Sequence, residues 1–317
     1  MLVSVCGGFI SSADFDFPSA HISNGLIDAT LYLPDADRGY YQGVRFDWSG
    51  VIPQLTYQGH SYFDKWNPNP YEAQLHDNIM GPVEEFTPLG YEEAQRGETF
   101  LKIGVGMLTK TFDKKYSFAE RYPIQNAGKW TVKTAKSQVI FLHELTDDSG
   151  YGYIYTKTVK LTKGKPELVL EHRLKNIGQK IIETSVYNHN FFMIDNEPTN
   201  PNIKTSFPFD VAAEGKNWGT IAKTEKNAIH YTRALETGEF VYSDGLKGFG
   251  SSSKDYDILI QNLKSGAGVR ITCDKPLDKF VYWACPSTAC PEPYIKITAQ
   301  PNDEVSWKIK YAFVVDK

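Results

Sequence analysis

The segment from Val305 to Phe313 alternates between apolar residues and residues that are polar or small. A second segment, Glu167–Lys175, has the same period of two. Successive side chains of a β-strand point to opposite faces, so this period predicts strands with one buried face. Stretches with the 3.6-residue period of a helix are scarce. The chain is therefore expected to fold mainly as β-sheet.

Further strands are predicted where short runs rich in β-branched and aromatic residues lie between turn signals. They are Leu26–Leu33, Val139–Leu145, Tyr153–Leu161, Ile181–Phe192, Ile258–Leu263, Gly268–Cys273, Lys279–Ala284 and Tyr294–Thr298. Many short strands separated by Gly, Pro and Asn are typical of a sandwich or barrel. A chain of 317 residues is not too long for one such domain. We predict an all-β fold, a large antiparallel β-sandwich with long loops, formed by a single domain over residues 1–317.

The region from Gly59 to Gly97 has no clear period and is rich in Pro, Asn and Glu, as in the run Trp66–Pro70. It also holds several aromatic residues, which are uncommon in disordered segments. Long loops within a compact domain are usually functional. We therefore expect ordered loops here.

Charge and composition narrow the classes of function. The net charge is −4 and no dense cluster of Lys and Arg is present, which argues against a nucleic-acid-binding protein. No apolar run approaches the length of a transmembrane helix. Aromatic residues make up 14% of the chain. That share suits strands, and it suits a sugar site, where aromatic rings pack on the apolar C–H groups of a pyranose.

The four cysteines, Cys6, Cys273, Cys285 and Cys290, form neither a dense disulfide framework nor a zinc-binding pattern. Reduced thiols are typical of cytosolic proteins. The opening residues, Met1–Gly8, lack the basic and apolar regions of a signal peptide. These features predict a cytoplasmic protein and give no indication of its oligomeric state.

His189 is the first candidate catalytic residue. In the predicted strand Ile181–Phe192 it shares a face with Glu183, Ser185 and Tyr187. A polar face that ends in a histidine is consistent with the floor of a wet groove. It is equally consistent with a surface histidine on an edge strand, and alternation alone does not separate the two.

Glu292 is the second candidate. It lies between Pro291 and Pro293, after the predicted strand Lys279–Ala284. Each proline fixes φ and removes a backbone donor, so we predict a rigid loop at this position. Such a loop would orient a catalytic carboxylate. The same sequence is also consistent with a solvated glutamate in a loop that has no catalytic role.

Other titratable positions have simpler interpretations. Glu84 and Glu85 are adjacent, and neighbours on a strand point to opposite faces, so the two are not expected to act as a glycosidase pair. One of them could still reach a groove. His172 shares a predicted face with three leucines and is interpreted as a core histidine. The glycine pattern in Leu101–Gly106 lacks the context of a dinucleotide site and is interpreted as a tight strand segment.

A resemblance to a known family adds to these observations. Tyr187–Phe192, with the sequence Tyr-Asn-His-Asn-Phe-Phe, is similar to the Asn-His-x-Tyr/Phe-Phe segment of the galactose mutarotase (aldose 1-epimerase) family. Cys290–Tyr294 resembles the catalytic-glutamate segment of that family. Pro301–Glu304 and the strand after it resemble the family's Pro-Gly-Glu turn and final strand, with Asn302-Asp303 where a glycine is usual.

The resemblance implies a galactose mutarotase-like β-sandwich and a set of site residues. It makes His189 the general acid and Glu292 the catalytic carboxylate. It also points to two substrate-binding residues, Arg45 to hold sugar hydroxyls and His76 as the second active-site histidine, although the family's Gly-Gly does not follow His76. Asp257 matches the substrate-binding carboxylate of the family's Tyr-Asp segment, without the histidine that usually comes next.

The implied activity is interconversion of the α and β anomers of a hexose. Glu292 would take the proton of the anomeric hydroxyl, and protonated His189 would give a proton to the ring oxygen. This chemistry requires no metal or organic cofactor, and the expected partner is a small sugar rather than nucleic acid or a membrane. A non-catalytic carbohydrate-binding sandwich, a lyase or hydrolase on the same fold, and a structural β-protein are the alternatives; Tyr187 and Arg45 would suit a lyase.

Overall fold

The computed structural model describes residues 17–316, and strands dominate it. The first eleven strands are β1 Ser19–Ser23, β2 Ile27–Tyr32, β3 Val51–Tyr57, β4 His60–Ser61, β5 Gly81–Phe86, β6 Thr99–Lys102, β7 Gly106–Thr109, β8 Ile124–Asn126, β9 Lys129–Ala135, β10 Gln138–Thr146 and β11 Gly152–Leu161. The others are β12 Glu167–Asn176, β13 Ile182–Phe191, β14 Ile203–Ser206, β15 Ala222–Glu225, β16 Ala228–Tyr231, β17 Val241–Ser243, β18 Asp257–Asn262, β19 Ala267–Cys273, β20 Lys279–Cys285, β21 Thr288–Ala299 and β22 Glu304–Val315. Short 3-10 helices are found at Ile194–Asn196 and Ser253–Asp255.

These strands form four antiparallel sheets. The largest has ten strands in the order β15-β16-β14-β18-β19-β22-β12-β11-β10-β9, and the second has five in the order β17-β20-β21-β13-β5. Strands β1 to β4 and strands β6 to β8 form two smaller sheets in chain order. The predicted all-β fold is confirmed.

The hydrophobic core lies between the ten-stranded and the five-stranded sheets. Trp307 and Tyr311 of β22 are buried in it, together with Val186 of β13. The Tyr311 hydroxyl donates a hydrogen bond of 2.9 Å to Oδ1 of Asn190 on β13, which ties the two sheets together. This core explains why β22 shows such a clean period of two: alternate residues face the core and the solvent.

Strand β13 has two buried faces with different partners. Asn188 and Asn190 point to the inner side of the sheet, where Asn188 donates to Glu84 of the neighbouring β5 and Asn190 accepts from Tyr311 of the ten-stranded sheet. Tyr187, His189 and Phe191 point the other way and line a cleft. Because the side-chain period of a strand is two, this register presents His189 to the open side of the sheet.

The predicted strands all overlap observed ones, and Glu167–Lys175 and Val305–Phe313 match β12 and β22 to within two residues. The predicted loop region Gly59–Gly97 is wrong in part, because it contains β4 and β5. All six residues of β5 are buried, so both of its faces are covered and no alternation marks it.

The prediction that Glu292 lies in a loop is wrong. It lies inside β21, opposite Val281 of β20. The regular pairing between β21 and β13 ends at Tyr187–Tyr294, so Pro291 and Pro293 occupy a stretch where no ladder bond to β13 is needed. The side-chain amide of Asn190 donates to the Pro291 carbonyl oxygen at 2.8 Å and bridges the gap.

Three further predictions concern the thiols, the membrane and the N-terminus. Cys273, Cys285 and Cys290 are free thiols. Within residues 17–316, no helix has the length and apolar character needed to traverse a bilayer. The opening segment Met1–Gly8, including Cys6, lies outside the described residues.

Candidate functional site

The outer face of the five-stranded sheet forms the floor of a cleft of about 460 Å³. The strand register arranges the floor side chains in rows that run across the strands. The first row comprises Glu85, Tyr187, Tyr294 and Lys279. The middle row comprises Val83, His189, Glu292 and Val281. The third row comprises Phe191, Cys290, Trp283 and Tyr242.

His189 and Glu292 meet in the middle row. Nε2 of His189 lies 3.3 Å from Oε1 of Glu292. The two residues are on neighbouring strands, between the pairs Tyr187–Tyr294 and Phe192–Ala289, which fix the same register on both sides of them. Each is only 4% exposed, yet both line the cleft, so a ligand in the cleft could contact them.

Burial controls the protonation of this pair. It lowers the pKa of His189 well below its ordinary value, and the nearby Arg45 guanidinium lowers it further. Among the described residues none accepts a hydrogen bond from Nδ1 of His189, so nothing stabilises the imidazolium on that side. Burial raises the pKa of Glu292 to about 8, and Arg45 offsets only part of this rise. Both shifts favour a neutral imidazole and a protonated Glu292 at neutral pH, so the pair shares one titratable proton. The carboxylate beside His189 does not keep the imidazole charged, because desolvation outweighs any such effect on its pKa.

A stability prediction follows from the raised pKa of Glu292. Between the unfolded value near 4.5 and the folded value of about 8, the native protein binds more protons than the unfolded chain. Its stability therefore falls as the pH rises through this window. Glu292→Gln removes the effect, so we expect its melting temperature to exceed that of the wild type by an amount that grows from pH 5 to pH 8 and then levels off. Thermal unfolding followed by circular dichroism measures this, and a difference that does not change with pH would contradict it.

Arg45 belongs to a buried ionic network at the β5 side of the cleft. Its Nε donates to Oε2 of Glu85 at 2.9 Å, and its Nη2 donates to the Tyr187 hydroxyl at 3.0 Å. Lys102 donates to Oε1 of Glu85 at 3.0 Å, and the Tyr187 hydroxyl donates to Oε2 at 2.6 Å. Burial raises the pKa of Glu85, but Lys102 and Arg45 outweigh it and hold that pKa below its ordinary value. Glu85 is thus a permanent anion with both oxygens occupied.

His76 also lies at the cleft, beside Asp77. Its Nε2 is 3.2 Å from Oδ1 of Asp77, and the same carboxylate oxygen lies 3.6 Å from Nη1 of Arg45. The Phe118 ring covers the Arg45 guanidinium, with Cζ of Arg45 4.0 Å from the centre of the ring. The centres of the Phe118 and His76 rings are 5.6 Å apart. His76, Asp77 and Phe118 therefore form the wall of the cleft above Arg45.

The structure brings four of the five predicted site residues together and separates the fifth. Arg45, His76, His189 and Glu292 line one cleft. Asp257 is at the start of β18 in the ten-stranded sheet, where its carboxylate binds the guanidinium of Arg270 on β19. A carboxylate occupied by its own strand neighbour and absent from the cleft lining is not available to a ligand there, so the prediction for Asp257 is corrected.

Sequence reasoning missed the carboxylate that does reach the cleft opposite Arg45. Asp244 follows β17 and lies 2.7 Å from Nζ of Lys279. It accepts a hydrogen bond of 3.2 Å from the Tyr242 hydroxyl. Two signals were present in the sequence: the polar run Tyr242-Ser243-Asp244, and a lysine at the start of the predicted strand Lys279–Ala284. Neither signal indicated that these segments are neighbours.

A second buried network lies directly behind the cleft floor. Glu84 points to the inner side of β5, where it accepts hydrogen bonds from Nε2 of His172 at 2.8 Å and from the Asn188 amide at 3.0 Å. Lys157 forms an ion pair with Glu84 and also donates to the carbonyl of Ser49 at 2.9 Å. The His172 ring stacks on Trp307 at 4.6 Å. His172 is buried in the core, as predicted, and its hydrogen-bond partner is the carboxylate of Glu84.

Comparison with solved structures shows which fold this is. A galactose mutarotase-like protein from Clostridium acetobutylicum superposes with a TM-score of 0.54 at 14% identity, over 93% of this chain and 95% of that one. An aldose epimerase homologue from C. elegans superposes with a TM-score of 0.55 at 13% identity, over 94% of this chain and 100% of that one. A galactose mutarotase-like protein from Lactobacillus casei superposes with a TM-score of 0.52 at 11% identity, over 93% of this chain and 100% of that one.

The chain therefore has the galactose mutarotase-like fold over nearly its whole length, as the sequence resemblance implied. No protein-family model and no curated protein sequence matches it. One fold hosts many activities, so function has to be argued from the side chains of the cleft.

Proposed function

We propose that this protein is an aldose 1-epimerase-like isomerase that interconverts the α and β anomers of an aldose in the cleft. The observation that carries the proposal is the distance of 3.3 Å between His189 Nε2 and Glu292 Oε1 at the floor of that cleft. One imidazole and one carboxylate that share a proton can act as acid and base in the same turnover. A sugar bound on this floor would displace the water that would otherwise compete for these proton transfers.

The catalytic cycle begins with a proton movement inside the pair. Hydroxyl groups of the bound sugar donate hydrogen bonds to Glu292 and favour its ionised form. The proton that Glu292 releases moves to Nε2 of His189. The ionised carboxylate then takes the proton of the anomeric hydroxyl, while the imidazolium gives its proton to the ring oxygen.

Ring opening and closure follow from these two transfers. The bond between C1 and the ring oxygen breaks, its electron pair stays on the oxygen, and a carbonyl forms at C1. Rotation about the C1–C2 bond presents the other face of the carbonyl to the same oxygen. The reverse proton transfers close the ring as the opposite anomer, and the pair returns to its starting state with no net gain or loss of protons.

The neighbouring residues favour this chemistry over that of a hydrolase or lyase. A glycosidase needs a second free carboxylate, but the other carboxylates of the cleft are all paired. Glu85 is held by Lys102, Arg45 and Tyr187, Asp77 lies against Arg45 and His76, and Asp244 lies against Lys279. A lyase that uses a tyrosine base needs a phenol that ionises. Burial raises the pKa of Tyr187 well above its ordinary value, and its hydroxyl already donates to Glu85.

The charges of the cleft favour an uncharged sugar. Arg45 is paired with Glu85 and Asp77, and Lys279 is paired with Asp244. A phosphorylated hexose would have to break one of these ion pairs to gain a cation, so the substrate is assigned as an unphosphorylated aldose.

Polarimetry tests the proposal. Freshly dissolved crystalline α-D-glucose and α-D-galactose are mixed with the protein, and the approach of the optical rotation to equilibrium is timed. A rate that rises in proportion to protein concentration, above the spontaneous rate, supports the epimerase. Saturable sugar binding with only the spontaneous rate would identify a non-catalytic carbohydrate-binding protein instead.

The pH dependence of kcat/KM is a further prediction. The pair works with one proton, and that proton is lost as the pH rises through the Glu292 pKa of about 8. We expect kcat/KM to fall about tenfold per pH unit above this value. On the acid side, the lowered pKa of His189 means that kcat/KM stays constant down to a pH well below 6.5. Initial polarimetric rates from pH 5 to pH 10, corrected for spontaneous mutarotation, measure the profile; a half-maximal point near 6.5 would contradict the assignment.

A further inference from the structure

The two ends of the cleft differ in how open they are. At the β5 end, the side chains of Arg45 and Glu85 are 10% and 9% exposed and bind each other. At the β17 end, the side chains of Asp244 and Lys279 are 72% and 44% exposed. A ligand can therefore extend beyond the cleft at the β17 end, while the ionic network closes the β5 end.

The position of the catalytic pair leaves room on the open side. Neighbouring strands are about 4.8 Å apart, so the five strands span about 19 Å from β5 to β17. His189 and Glu292 lie on β13 and β21, and two strand spacings, about 10 Å, separate Glu292 from β17. The cleft volume of about 460 Å³ also exceeds the lower limit of ordinary ligand sites, roughly 300 Å³. The floor over β20 and β17 thus extends about 10 Å beyond Glu292.

Aromatic side chains cover this open half. Trp283 of β20 and Tyr242 of β17 are directly opposite each other in the register and line the cleft. Phe240 comes two residues before Tyr242, on the same side of the chain, because Val241 and Ser243 between and after them are buried. Phe240 and Tyr242 are 41% and 38% exposed, although large aromatic side chains are normally buried in a core. Exposed rings beside a cleft are typical of a ligand surface.

We propose that the part of the cleft floor formed by Trp283 and Tyr242, with Asp244 at its rim, is a subsite for a second sugar residue. This inference rests on the proposed function and adds its substrate class: the preferred substrate is the reducing end of a di- or oligosaccharide. The reducing residue places its free anomeric centre over His189 and Glu292. The next residue stacks its apolar face on the aromatic rings and offers hydroxyl groups to Asp244 and Lys279, and the rest of the chain leaves at the β17 end.

The experiment compares a hexose with reducing disaccharides. Mutarotation of α-D-glucose, maltose, cellobiose and lactose is followed by polarimetry for the wild type and for Tyr242→Ala. We expect at least one disaccharide to have a higher kcat/KM than glucose. We also expect Tyr242→Ala to lower the ratio of kcat/KM for that disaccharide to kcat/KM for glucose by about three- to tenfold, as loss of one stacked ring implies.

A binding measurement gives a second readout that is independent of turnover. Calorimetric titration of Glu292→Gln with the same sugars should give a lower Kd for the preferred disaccharide than for glucose, and adding Tyr242→Ala should remove most of the difference. Phe112→Ala is the matched control, because Phe112 is an exposed phenylalanine outside the cleft lining. It should leave the ratio unchanged.

The failure of this inference is distinguishable from the failure of the proposed function. If glucose mutarotates but every disaccharide is slower and binds no tighter, the second subsite is refuted and the epimerase stands. If Tyr242→Ala lowers the values for glucose and the disaccharide equally, Tyr242 acts on the reducing residue and the subsite is also refuted. If no sugar mutarotates faster than its spontaneous rate, the proposed function itself fails.

Discussion

His189→Asn and Glu292→Gln are each expected to lower kcat for anomerisation by at least about 100-fold, the lower range for loss of one proton-transfer partner. Asparagine and glutamine keep the approximate shape and polarity of the originals but do not exchange protons in this pH range. Since the two groups share one proton across 3.3 Å, either substitution removes both the acid and the base function of the pair. The double variant should therefore be hardly slower than either single one.

Two controls make this prediction specific. Asp257→Asn changes a carboxylate that is bound to Arg270 on the opposite sheet, and it should retain wild-type rates. Sugar binding measured by calorimetry should survive in His189→Asn and Glu292→Gln, because the cleft walls are untouched. Wild-type rates in either variant would remove that residue from the mechanism. Multiplicative losses in the double variant would show that the two groups act in separate steps rather than as a pair.

Lys157→Met is expected to destabilise the protein by about 3–5 kcal/mol, the cost of breaking a buried ion pair on one side only. Lys157, Glu84 and Asp47 have fully buried side chains, and Lys157 is the cation that balances both carboxylates. Without it, Glu84 retains His172 and Asn188 as hydrogen-bond partners but loses its compensating charge. Chemical denaturation followed by tryptophan fluorescence gives the free energy of unfolding.

Lys160→Met is the matched control for this substitution. Lys160 lies on the same strand, but its side chain is 41% exposed and its pairing with Glu171 at 3.6 Å is a surface contact. Its loss should cost less than about 1 kcal/mol. The double variant Lys157→Met, Glu84→Gln should recover part of the loss, because it removes the unbalanced charge. Equal effects at positions 157 and 160 would show that the buried network does not contribute through its charge.

The sequence was informative about strands that have one solvent face. β12 and β22 could be predicted almost to the residue because their outer faces carry Lys and Glu while their inner faces pack in the core. β5 could not, since it is covered on both sides and its apolar and charged residues follow no period. The charged residues of β5 are buried only because distant partners such as Lys102 and Lys157 neutralise them, and no local pattern encodes such pairings.

The candidate site was predictable to a similar extent. The resemblance to the mutarotase family selected His189 and Glu292, and the geometry places them side by side. The prolines around Glu292 indicated a loop. They fit inside β21 because the regular pairing with β13 has ended there, and that depends on the tertiary structure rather than on the local sequence. Asp257 was selected from its resemblance to the family's Tyr-Asp segment, and Asp244 was missed, because which aspartate reaches the cleft depends on sheet order rather than on neighbouring residues. The protonation of His189 and Glu292 also depends on how deeply they are buried, which the alternation of residues along a strand does not predict.

The alternation of β13 also limits how the gene for this protein can change. Insertions in the connecting loops alter only local lengths, but a single codon gained or lost within β13 would reverse every side chain beyond it. Asn188 or Asn190 would then replace His189 on the cleft side, and the imidazole would enter the core beside Glu84. Related sequences should accordingly vary in length in their connecting loops and not within this ten-residue strand.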